Sequence, residues 1–241
     1  MTYSKVQKFG HLGRQVTSAF DGIQIYAEAI GDPSKPAIVY IHGNSTSSVV
    51  MGLSFFDETL LKHFYQGRLD LRGHGLSDTV RFLPAIILDA RFNDETQSSD
   101  VDAVFQGFSF EKPIFVGWSY GAVILADYIT VLGDEGVRGI VIANGLTGEM
   151  SEIKKFFNHN LFSGHSDDVH ATQMHRAFGL FIDALTCTYK VWIFKRKKLW
   201  DAYMNKASRS IQNLVVYRKS DKVNSPEFMD YIKERWEPSL L

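Results

Sequence analysis

The five residues Gly117-Trp118-Ser119-Tyr120-Gly121 hold the strongest chemical signal in the chain. A serine oxygen becomes a useful nucleophile when it stands clear of the backbone on a sharp strand-to-helix turn, with glycines where a Cβ would clash. The bare Gly-x-Ser-x-Gly spacing is weak, since it arises by chance in about one chain in ten of this length. Its setting makes it specific. Ile114-Phe115-Val116 directly before reads as a strand, and Ala122-Val123-Ile124-Leu125 directly after as the start of an apolar helix. The chemistry such a turn could serve is nucleophilic attack by the serine oxygen. A second cluster, His165, His170 and His175 with Asp167 and Asp168, invites a metal reading. Its five-residue steps fall off any one helical face, so surface histidines are expected there and no metal site.

The elements that must position Ser119 follow from apolar periodicity. Gln15 to Phe20 and Ile23 to Ala29 flank Asp21-Gly22, a two-residue hairpin signal. Ala37 to Ile41 is a continuous β-branched run ending in His42-Gly43-Asn44, which suits a strand covered on both faces. Helical spacing covers about Ser48 to Phe64, and Arg68-Leu69-Asp70-Leu71 predicts the next strand. Ser98 to Phe108 is weakly helical, Ile114 to Val116 a strand, Ala122 to Val131 a helix and Gly139 to Ala143 a buried strand. Apolar strands alternating with helices predict an α/β fold with a mostly parallel sheet. From about Thr147 to Ser208 the alternation stops, and aromatic, Met, His and Lys residues suggest inserted helices. A strand returns at Gln212 to Tyr217, Asp221 follows in a loop, and Pro226 to Trp236 predicts a final helix. The expected organisation is a core of residues 1–146 and 209–241 with a helical cap of residues 147–208.

Composition narrows the function classes. The 241 residues carry 26 Lys+Arg against 27 Asp+Glu, a formal charge of −1, unlike a protein built to grip phosphate backbones. Nucleic acid is therefore not an expected partner. Cys187 is the single cysteine, which excludes a disulfide framework and a multi-cysteine metal site. No run of about 18 uncharged apolar residues is present and the first 15 residues are polar, so neither a membrane span nor a secretory signal is expected. A cytoplasmic protein is the resulting expectation. The basic run Lys195 to Lys198 is read as a solvated helix face.

Four segments together resemble the α/β-hydrolase superfamily: His42-Gly43-Asn44, Asp70-x-Arg72-Gly73-His74-Gly75-x-Ser77, Gly117 to Gly121, and Leu214 to Asp221. The wording is nearest to the serine branch of small esterases and non-haem peroxidase-like hydrolases, with epoxide-hydrolase relatives. The resemblance implies a mostly parallel sheet of that type with an inserted cap, and Ser119 as nucleophile. It implies an oxyanion hole from the backbone N–H groups of Asn44 and Tyr120. It also implies Asp221 as the acid that orients a histidine, in the chain order Ser, Asp, His. His42 and His74 are then structural. The family has glycine three residues before the acid, where this sequence has Arg218. No cofactor or metal is needed for such chemistry.

The family's catalytic histidine lies one strand beyond the acid. Here the eight histidines are His11, His42, His63, His74, His159, His165, His170 and His175, and none follows Asp221. Glu237 to Leu241 reads as the entry to that last strand, which the sequence otherwise lacks. Three accounts stand: a truncated form of an active hydrolase, a catalytically inactive ligand-binding pseudo-hydrolase, or a cap histidine (His165, His170 or His175) serving as base. A missing last strand would leave Leu214 to Tyr217 as an unpaired edge prone to self-association. Phe156, Phe157, Phe162, Met174, Phe178, Phe181, Tyr189 and Trp192 supply apolar wall, so the expected partner is a small apolar ester-like molecule.

Overall fold

The computed structural model describes residues 9–44, 46–78, 94–143 and 212–216. Within them lie seven strands: β1 (Leu12–Thr17), β2 (Gln24–Ile30), β3 (Ala37–Ile41), β4 (Tyr65–Leu69), β5 (Ile114–Trp118), β6 (Gly139–Ala143) and β7 (Gln212–Val216). They form one sheet in the order β1-β2-β4-β3-β5-β6-β7. β1 runs antiparallel to β2, and β2 antiparallel to β4; from β4 to β7 every pairing is parallel. The helices are α1 (Gly52–Phe55), α2 (Glu58–Leu61), α3 (Asp94–Gly107) and α4 (Tyr120–Leu132), with a 3₁₀ turn at Ser48–Met51 before α1.

Side chains alternate across a strand, so β3 feeds two cores. Val39 and Ile41 join the larger one, with Phe115, Ile140 and Ile142 from the sheet and Val101, Val104, Phe105, Ile124 and Leu125 from α3 and α4. Ile38 and Tyr40 face the other way, packing with Ile30, Phe55 and Leu61. A strand buried on both faces is why Ala37 to Ile41 reads as an unbroken apolar run.

The departures from the sequence reading have local causes. The helical run expected over Ser48 to Phe64 is split, because the Asp57 side chain accepts from the Thr59 and Leu60 N–H groups and starts a new helix. β4 begins three residues earlier than expected, since Gln66 and Arg68 are buried strand residues paired with Tyr40 and Glu28. The first hairpin is present, but its turn is six residues long, closed by the Ser18 N–H on the Ile23 carbonyl, not two. Asp21 in that turn reaches across to Arg72 (3.0 Å). The cap, the loop of Asp221 and the expected helix from Pro226 lie outside the described residues.

Candidate active site

Parallel pairing of β3 with β5 places Ile41 level with Gly117, so His42-Gly43-Asn44 leaves the sheet beside the turn that carries Ser119. Ser119 sits between β5 and α4 at φ 54°, ψ −117°, a conformation that a side chain strains. Both motif glycines are required by contact. A Cβ on Gly117 would lie 2.6 Å from the Ala122 Cα and backbone N, and one on Gly121 would lie 2.3 Å from the Ile41 carbonyl oxygen. The turn is therefore pressed against β3 and against its own helix. That pressure is the physical content of the Gly-x-Ser-x-Gly spacing.

The Ser119 backbone N–H donates to the Ala143 carbonyl at the end of β6 (3.1 Å), and its carbonyl accepts from Ala122 (3.1 Å). Its hydroxyl does not cap α4, although it occupies the N-cap position where serine commonly does so. Tyr120 opens α4, so its N–H belongs to the first turn, at the positive end of the helix dipole. Gly43 closes the other side: a Cβ there would lie 3.1 Å from the Ser119 Cβ and from the Trp118 ring. Gly43, Ser119 and Tyr120 are thus brought to one place by three elements, and the half-buried Asn44 is the next residue after Gly43. Asp221, His165, His170 and His175 lie outside the described residues.

His42 is fully committed. Its Nδ1 bonds the Gly43 carbonyl (2.7 Å) and its Nε2 accepts from the Leu71 N–H (3.0 Å). Burial holds its pKa below the ordinary imidazole value, against the hydrogen bond to Gly43, which acts the other way. A ring bonded on both nitrogens braces the loop and offers no lone pair to a neighbouring hydroxyl. His74 bonds the Arg72 carbonyl through Nδ1 (3.0 Å).

The Asp70-to-Ser77 motif is a brace as well. Asp70 accepts from the N–H groups of Ser48 (2.7 Å) and Leu76 (2.8 Å). The Ser77 hydroxyl donates to the Asp70 carbonyl (2.6 Å) and accepts from the Tyr26 N–H (2.8 Å). Arg72, 1% exposed, forms a two-pronged pair with Asp100 of α3 (2.7 and 2.6 Å). Burial works against the guanidinium charge, but Asp100 and Asp21 outweigh it and raise the Arg72 pKa.

One contact at the site escaped the sequence reading. Gln97 of α3, buried, hydrogen-bonds the Tyr120 hydroxyl (3.2 Å). Nothing local marks it, because the buried residues of α3 include Asp94, Thr96, Ser98 and Asp100 beside Val101, Val104 and Phe105.

The sequence matches the family model described as alpha/beta hydrolase fold over residues 36–233. The chain belongs to the α/β-hydrolase fold family. Solved structures agree with this hydrolase fold. A proposed aryl esterase from Burkholderia cenocepacia superposes with a TM-score of 0.69 at 22% identity, covering 94% of this chain and 87% of that one. An esterase from a Rhodococcus species gives a TM-score of 0.66 at 23% identity, covering 92% and 86%. At these identities the likeness is one of fold. Comparison with curated protein sequences returned no match. Among the described residues, no helix of this hydrolase-fold chain is long and apolar enough to cross a membrane, and no group of three or more His, Cys, Asp or Glu could hold a metal ion.

Proposed function

We propose that the chain is a serine hydrolase of small, apolar carboxylic esters. The Ser119 oxygen attacks the acyl carbon, its proton passes to a base and from the base to the departing alkoxide oxygen, and the alcohol leaves to give acyl-Ser119. Water then cleaves the acyl–oxygen bond and releases the acid. The N–H groups of Asn44 and Tyr120 hold the negative charge on the tetrahedral oxygen, each worth about 3–4 kcal/mol in such a role. Asp221 is the candidate acid that orients an imidazole. Residues 147–208 are the candidate cap, whose aromatic side chains would supply the acyl wall.

The observation that carries this reading is the strained Ser119 backbone facing Gly43, with the hydroxyl left out of the helix cap. Of the two superposed structures one is described as an esterase and the other as a proposed aryl esterase, which supports the ester class. The commitment of both His42 nitrogens, which keeps the histidine beside Gly43 from serving as the base, favours a second reading, a ligand-binding pseudo-hydrolase.

A fluorophosphonate probe and a p-nitrophenyl ester separate the two. Covalent labelling and turnover that vanish in Ser119→Ala support the hydrolase. Saturable binding of the ester with neither labelling nor turnover supports the binder. Turnover lost in His165→Ala, His170→Ala or His175→Ala assigns the base to the cap.

A further inference from the structure

The loop that brings Asn44 to Ser119 is anchored at both ends. At its start the Gly43 carbonyl accepts from the Thr46 hydroxyl (2.7 Å) as well as bonding His42. At its end the buried Ser48 peptide is gripped on both sides: Asp70 takes its N–H (2.7 Å) and the Arg68 Nη1 donates to its carbonyl (3.2 Å). Arg68 belongs to β4 and is itself fixed. Its Nε and Nη2 donate to one Glu28 oxygen (2.8 and 2.5 Å), directly across the β2–β4 pairing. Its guanidinium lies over the Phe55 ring at 4.5 Å from the centroid.

We infer that Arg68 is a positioning residue for the oxyanion loop, holding the Ser48 carbonyl so that the Asn44 N–H keeps its aim at the Ser119 oxygen. This rests on the reading of Ser119 as nucleophile. A buried ion pair is at best even with apolar residues as a source of stability, so the pair at Glu28 and Arg68 is better accounted for by what it holds in place. The planar fork reaches Glu28 and Ser48 at once, with its central carbon over the Phe55 ring; a lysine ammonium supplies the charge but not that geometry. Displacing a catalytic group by about 1 Å costs on the order of a hundredfold in rate. A loosened donor therefore acts on the transition state and leaves substrate binding nearly untouched.

The test uses the full 241-residue chain carrying Arg68→Lys, or the charge-free pair Glu28→Gln with Arg68→Met, each checked for a cooperative melt. Arg68→Lys keeps a cation beside Glu28 and so spares the core. Hydrolysis of p-nitrophenyl acetate is measured beside the affinity for phenylboronic acid, which becomes a tetrahedral anion on serine. Expected is a fall of about tenfold or more in kcat with KM within about twofold, and boronate affinity falling in parallel. Folded variants with wild-type kcat and boronate affinity overturn the inference, as does a loss confined to KM. If the unmodified chain turns nothing over, boronate affinity alone decides in the same way. Ser119→Ala runs alongside: turnover that survives it overturns the nucleophile reading itself, whereas its loss with unaffected Arg68 variants overturns only the role of Arg68.

Discussion

Replacing Ser119 by glycine should make the protein more stable while abolishing the proposed ester hydrolysis. At φ 54°, ψ −117° the residue lies well away from the left-handed helical well, whose ψ is near +47°, in territory that only glycine enters freely. Such a residue costs about 1–3 kcal/mol. No cap hydrogen bond from the hydroxyl offsets that cost. Glycine gives back about 0.5–1 kcal/mol through the extra freedom of the unfolded chain. The net gain is about 1 kcal/mol, or about 2–4 °C in Tm for a chain of this size. Ser119→Ala is the control, since it removes the hydroxyl but keeps the Cβ and hence the strain. The assay is a paired thermal and urea melt followed by circular dichroism. On a relaxed backbone Ser119→Gly would melt below Ser119→Ala by about the same interval. That order of melting points would refute the claim that the turn is strained.

Three other perturbations probe the scaffold. Gly121→Ala sets a Cβ 2.3 Å from the Ile41 carbonyl oxygen and 2.9 Å from that of His42, backbone atoms that cannot swing aside; a loss of about 3 kcal/mol by urea melt is expected, against almost none for Gly136→Ala, where only the Tyr128 hydroxyl lies near, at 3.4 Å. Asp100→Ala strips the two-pronged partner from buried Arg72 and should cost about 3 kcal/mol, whereas Asp21→Ala, removing the more exposed partner, should cost under about 1 kcal/mol by the same melt. His42, with its pKa held below 6.5 in the folded protein, makes the unfolded state the stronger proton binder just below that pH. Stability should therefore be level above about pH 7 and decline as pH falls from about 6.5, reaching a floor below the folded pKa; titrated urea melts should show part of that slope vanish in His42→Gln.

The parts of the fold that were legible in the sequence are those where burial and local chemistry agree. β3, buried along its whole length, and β6, an apolar run with Gly139, Ile140 and Ile142 buried, have observed limits, Ala37–Ile41 and Gly139–Ala143, that match the reading. β4 was misplaced because Gln66 and Arg68 are polar residues neutralised by partners on neighbouring strands, Tyr40 and Glu28, which no local pattern reveals. The break between α1 and α2 was readable in principle, as Asp57 precedes Glu58 with the spacing of a helix start. The hairpin turn could not be read locally, because Asp21 answers to Arg72, fifty-one positions away. At the site, the Ser119 turn was legible because glycine is demanded by clashes within the motif and against β3. The Gln97 contact with Tyr120 was not, since it joins two helices far apart in the chain.

The bond from the Ser119 amide to the Ala143 carbonyl ties the proposed nucleophile to the last residue of β6. Past Ala143 the sequence runs directly into the stretch rich in aromatic residues. Sequence drift immediately downstream of that strand therefore has a lever on the tilt of the hydroxyl through a single peptide group. On the proposed function, changes in the candidate cap that refit it for a new acyl group would not be silent toward reactivity. In a lineage of such chains, preference and turnover should shift together, and reshaping one without the other would call for compensation at that junction.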